Sequence, residues 1–128
     1  KNEEVLELLR AENAFTEQET APLEKLRKKL YDEHISHLKQ TDEKPAYPYG
    51  EYYYYSRTVE GKSYAIHCRK RASDIAGLDA ASEEVILDEN IVAEGHAQCV
   101  VSGVTVSPDH TLLAYSVDFK GDETYVVI

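Results

Sequence analysis

Ser107, Asp109 and His110 place a nucleophile, an acid and a base inside one short stretch of this chain. Those residue types perform acyl transfer when the base and its orienting acid converge on the nucleophile from different directions. Here they are near neighbours, and Pro108 supplies the fixed φ that favours the second position of a tight turn. Side chains in such a turn diverge, so the sequence predicts a turn that accounts for all three residues. No serine lies in a G-x-S-x-G elbow; Ser102 comes nearest, with Gly103 after it and Val100 two before.

His67, Cys68, His96 and Cys99 are zinc-ligand types. Adjacent residues on a strand point to opposite faces, so His67 and Cys68 cannot both reach one ion. Cysteines that are buried and simply pack are the plainer reading. His34 and His37 lie one helical turn apart beside Glu33 and read as a partly exposed helix face. The tyrosines at 47, 49, 52, 53, 54, 55 and 64 could stack nucleic-acid bases. Such platforms come with a basic groove, and residues 47–128, which hold these tyrosines, carry 6 basic and 13 acidic residues. Tyrosines at alternating strand positions pack one ring inward and leave the next amphipathic. No Gly-rich phosphate loop is present. The residues alone give no complete catalytic, metal or cofactor site.

Composition narrows the partners. The 128 residues carry 14 Lys and Arg against 24 Asp and Glu, a net charge of −10. Nucleic acids and anionic membranes need basic surfaces, so neither is expected. With 42% apolar and 30% charged residues the chain is globular in composition. The two cysteines have no CxxC spacing, which fits a reducing compartment and free thiols. There is no Met, the first residue is Lys1, and the last residues, ETYVVI, read as an apolar strand. These features lead to the expectation of a piece of a longer protein, cut inside a domain.

The elements that would carry these residues change character near residue 46. Residues 1–46 hold 8 basic and 11 acidic residues and no Gly, whereas all 6 Gly follow. Asn2 can cap a helix with Glu3 and Glu4 in its first turn. A second helix is expected from Thr20-Ala21-Pro22, with Leu23, Leu26, Leu30, His34 and Leu38 on one face. One long helix bent at Pro22 is the alternative. Such a pair needs another body to pack on. Residues 40–50, QTDEKPAYPYG, read as a linker. Strands are then predicted over 52–57, 64–69, 84–88, 103–107, 111–118 and 124–128, with turns at Gly61, Ser107–His110 and Lys120–Asp122. Tyr64, Ile66 and Cys68 share one strand face. Short strands joined by hairpin turns suggest an antiparallel sandwich, barrel or propeller.

Several strings resemble one known family. RAENAF (10–15), APLEKLRKKLYDEH (21–34), YPYGEYYYYSRTVEGKSYAIHCRKR (47–71), EEVILDEN (83–90), AEGH (93–96) and VSPDHTLLAYSVDFKGDETY (106–125) are similar to the N-terminal part of the prolyl oligopeptidase family of serine peptidases. CRKR, AEGH and LAYSVD lean toward its oligopeptidase B branch. His110 stands where that family's turn has Gly, which matters little for the assignment. The resemblance implies a mixed fold: an N-terminal α-helical segment (1–40), a linker (41–50) and the start of a seven-bladed antiparallel β-propeller (51–128). Residues 52–88 would build the first blade and residues 103–128 would start the second, about one and a half blades. The helices would pack on an α/β-hydrolase domain that this chain lacks. The family's Ser, Asp and His triad and its acidic specificity residues lie in that domain, so no catalytic, cofactor or metal role is carried over to any position here. The implied activity is cleavage of short peptides after Arg or Lys, in the cytoplasm, with the propeller acting as a lid. The implied partners are basic-residue-containing peptides and the rest of the parent chain. A non-catalytic propeller module and a peptidase cleaving after Pro are the alternatives.

Overall fold

Asn2 opens the first helix as its sequence position predicts: its side chain accepts the Glu4 N–H at 3.0 Å. The computed structural model describes residues 2–128. They divide between a unit ending at Lys39 and one running from Gln40 to Ile128. In the first unit, helix α1 (Glu3–Thr20) leads into a single 3-10 turn, Ala21–Leu23, and then into α2 (Glu24–Ser36). Pro22 sits in the first positions of that turn, where its missing N–H leaves nothing unsatisfied. Two helices form, with Pro22 at their junction. Neither buries a residue. Leu8, Leu9, Phe15, Leu23, Leu26 and Leu30 are all exposed. No described helix is long and apolar enough to cross a membrane.

The second unit holds two antiparallel sheets. Sheet one consists of β1 (Tyr47–Tyr49), β2 (Tyr52–Arg57), β3 (Ile66–Arg71) and β4 (Glu83–Asp88), in chain order. Sheet two consists of β5 (Val100–Val106), β6 (Leu113–Asp118) and β7 (Val126–Val127), again in chain order. A short helix, α3 (Glu89–Val92), follows β4. A helical segment followed by two open antiparallel sheets is thus the observed architecture.

Residues 41–50 are not a free linker. Tyr47, Pro48 and Tyr49 pair with Tyr54, Tyr53 and Tyr52, and Glu43 bridges to Arg57. Pro48 is compatible with this because β1 is an edge strand, where one N–H can be spared. The strand expected at 64–69 runs instead from Ile66 to Arg71. Tyr64 is held out of the ladder by Asn90, whose side chain accepts the Tyr64 N–H and donates to its carbonyl, each at 3.0 Å. Strand β5 begins three positions before the expected start at Gly103. That glycine lies within the strand at φ 64, where the register shifts, a bulge that only Gly enters without strain.

The core of sheet one is Tyr55, Ile66 and Cys68, with Ala46 and Val59 packed on it. In sheet two Val117 is fully buried. Beside it, buried Asp118 accepts the N–H groups of Lys120, Gly121 and Glu123 at 2.7–2.9 Å. A buried carboxylate is tolerable only when so satisfied. These backbone donors, Lys120 first, hold its pKa below the usual range.

Candidate functional site

Pairing sets the site's rows. Tyr47, Tyr54, Arg69 and Glu84 are successive partners across sheet one, so their side chains share a face. Tyr52 and Ser56 alternate onto the same face of β2. Against this face comes the turn between β5 and β6, Ser107–His110, closed by the His110 N–H donating to the Ser107 carbonyl at 2.9 Å.

Within that turn, Asp109 accepts from the Ser107 hydroxyl at 2.5 Å, from the Thr111 hydroxyl at 2.8 Å and from the Thr111 N–H at 3.2 Å. The Ser107 hydroxyl hydrogen bond, then those from Thr111, lowers the Asp109 pKa to about 2. So weak a base does not activate a serine. The Ser107 oxygen also accepts the Leu112 N–H at 2.9 Å. These bonds explain why β6 starts at Leu113 rather than at Thr111.

His110 does something the sequence reading did not assign to it. Its ring leaves the turn and enters sheet one, where Nδ1 lies 2.8 Å from the Tyr54 hydroxyl. The ring stands 5.0 Å from that of Tyr49 and 5.2 Å from that of Tyr52. Its carbonyl accepts from Arg69 Nη1 at 2.9 Å. Arg69 lies over the Tyr52 ring at 4.3 Å and is clamped by Glu84 through two bonds of 2.8 Å. A Cβ on Gly50 would lie 2.3 Å from His110 Nε2, so the β1–β2 turn must be bare at that point. The turn accounts for Ser107 and Asp109 but not for this side chain. The one signal in the sequence was His110 standing where the resembled turn has Gly; the structure puts that position at φ 61, a conformation that costs a non-glycine residue energy.

Beside this corner lies a cleft of about 470 Å³, walled by Tyr47, Tyr49 and Tyr54 of sheet one and by Val104 and Val106 of sheet two. On the opposite face of sheet one, Glu83 receives Arg57 (Nη2 to Oε1, 2.8 Å; Nε to Oε2, 3.0 Å) and the Tyr55 hydroxyl at 2.6 Å. Arg57 first, then Tyr55, draws the Glu83 pKa from 4.5 down to about 2. Burial and the bond to Glu83 raise that of Tyr55. Burial pushes the Cys68 thiol up to about 11.

The other candidate residues are spread apart. His67 pairs with Glu89 at 2.6 Å. His96 stacks on Phe119 at 3.8 Å, and Cys68 and Cys99 are buried and free. Among the described residues no three His, Cys, Asp or Glu side chains are grouped to hold a metal ion. The tyrosines split: Tyr54 and Tyr55 are buried, whereas Tyr47 and Tyr49 are exposed.

The family model for the N-terminal β-propeller domain of prolyl oligopeptidase matches residues 1–128. Dipeptidyl aminopeptidase BI of Pseudoxanthomonas mexicana is 38% identical over 138 residues, covering 99% of this chain and 19% of that protein. Protease 2 of Moraxella lacunata is 32% identical over 126 residues, covering 98% of this chain and 18% of its own length. The structure of oligopeptidase B from Leishmania major superposes with a TM-score of 0.88 at 44% identity, over 99% of this chain and 18% of that one. The chain therefore spans under a fifth of the proteins it resembles.

Proposed function

Because the chain belongs to the prolyl oligopeptidase family, over that family's N-terminal β-propeller domain, we propose that it forms the opening part of a serine oligopeptidase that cleaves short peptides after Arg or Lys. The likeness to oligopeptidase B of Leishmania major, across both the helices and the two sheets, is the observation that carries this reading. The reaction is acyl transfer through a serine nucleophile, a histidine base and an oxyanion hole, all supplied by a hydrolase domain outside these residues. The chain's own contribution is architectural. Sheet one is the first blade and sheet two the start of the second, in a lid that keeps large substrates from the nucleophile. The exposed leucines of α1 and α2 are the surface that the hydrolase domain covers. Short basic peptides are the proposed substrates. The cytoplasm is the proposed location, supported by two buried free thiols.

Assaying the full-length protein with peptide substrates ending in Arg, Lys or Pro tests this. Turnover after Arg and Lys, abolished by a serine-directed inhibitor, is the expected result. Turnover only after Pro, or none with any of the three, overturns it.

A further inference from the structure

The two sheets share no backbone ladder, and a cleft of about 470 Å³ separates part of their facing surfaces. At the corner beside that cleft two hydrogen bonds cross between them, and both end on His110: Tyr54 on its ring and Arg69 on its carbonyl. Three further features make this corner a built contact. Gly50 leaves room that any Cβ would fill. Tyr49 and Tyr52 stand on either side in sequence of that glycine and both bring their rings to the imidazole. Arg69 is itself fixed by Glu84. His110 moreover holds a left-handed backbone that Gly would adopt without strain. The side chain thus stabilises the structure through what it reaches in sheet one.

We infer that His110 is a latch that pins blade two to blade one, limits how far the seam between them opens, and thereby helps set the size of peptide the enzyme admits. The size-selection part rests on the proposed lid function; the latch itself does not. With His110 in place the walls of the cleft are held at one end, and widening it requires breaking both bonds to the same residue. Without the imidazole the Tyr54 hydroxyl loses its partner, and the ring contacts of Tyr49 and Tyr52 go with it. His110 touches no reacting atom in this scheme; it is a positioning residue.

The test uses the full-length protein and two variants, His110→Gly and Tyr54→Phe. Glycine suits the turn's φ, so His110→Gly removes the imidazole half of the latch while keeping the turn and the carbonyl that Arg69 reaches. Tyr54→Phe removes one hydroxyl only. Amide hydrogen exchange over residues 47–57 and 106–113 is the first measurement, and it does not depend on activity. One hydrogen bond of ordinary strength is worth a factor of roughly five in a local opening equilibrium, so exchange in both segments should rise about fivefold in Tyr54→Phe and further in His110→Gly. The second measurement is kcat/KM for a long and a short peptide sharing one Arg cleavage site. The ratio of long to short should rise in the order wild type, Tyr54→Phe, His110→Gly, with the short peptide little changed. Unaltered exchange in His110→Gly overturns the latch. Faster exchange with an unaltered ratio overturns the size-selection claim. A wild-type protein that cleaves neither peptide overturns the proposed function and the size claim with it, and exchange still decides the latch.

Discussion

Glu83 holds the face of sheet one that points away from the cleft. It is bonded to Arg57 and Tyr55, and its pKa lies at about 2 rather than 4.5. A carboxylate with a depressed folded pKa stabilises the fold fully above its ordinary pKa, and that contribution disappears as pH falls through the folded value. Glu83→Gln should therefore lower stability by about 1–2 kcal/mol at neutral pH. The gap between variant and wild type should narrow as pH drops from 4.5 toward 2. Urea melts of both proteins across that range measure it, and a gap that persists at the acid end would contradict the ion-pair origin. At the same scale, Cys68 is fully buried with a thiol raised to about 11, so almost no thiolate exists at neutral pH. Native protein should leave Cys68 and Cys99 unlabelled by a thiol reagent, and unreduced, denatured protein should expose both. Failure to label either after denaturation would place them in a disulfide. Of these residue-level features the buried thiols were legible, since Cys68 alternates with Ile66. Glu83 was not, because its partners lie on another strand, and only the register brings Arg57 and Tyr55 to it.

The elements were legible where strand-favouring side chains run together, as in the aromatic run of Tyr52–Arg57, which the sequence located to the residue. Boundaries moved wherever a side chain captured backbone groups. Asn90 takes both groups of Tyr64, and Asp109 with Ser107 takes the N–H groups of Thr111 and Leu112. Strand β1 was hidden by Pro48 and Gly50, residues that mark linkers in most contexts and an edge strand with a tight turn in this one. That turn also makes a prediction about an element rather than a residue. Gly50 has φ 58 and the His110 ring directly over it. Gly50→Ala should cost about 1–3 kcal/mol, part from the left-handed backbone and part from displacing the ring. Only the second part disappears when the ring is already gone. Gly50→Ala should thus cost less in a His110→Gly background, and a double-mutant cycle by chemical denaturation gives the difference. Strict additivity would show that the ring yields freely.

For the whole molecule, the 128-residue chain has a net charge of −10, which favours solubility. Against this stand the leucines of α1 and α2, with Leu8 60% and Leu26 53% exposed. Burying one such side chain is worth roughly 1.5–3 kcal/mol. Leaving several uncovered forfeits an amount comparable to a small domain's entire stability, about 5–15 kcal/mol. The isolated chain should therefore self-associate or melt without a sharp transition, and sedimentation with thermal unfolding will read this out. A monomer with a steep melt would show that these helices need no cover. The same preparation should not cleave a substrate ending in Arg or Lys, since Ser107 is bonded to Asp109 and not to an imidazole. The order of the strands also has a kinetic meaning. In both sheets each strand pairs with its neighbour in the chain, so every ladder closes a short loop at little entropic cost. Sheet one needs nothing beyond Asp88 to complete its pairing. During synthesis it can form on the ribosome before Val100 leaves the exit tunnel, and sheet two then meets a finished template. The His110 turn emerges between β5 and β6, so it reaches a sheet one that is already complete while sheet two is still being made.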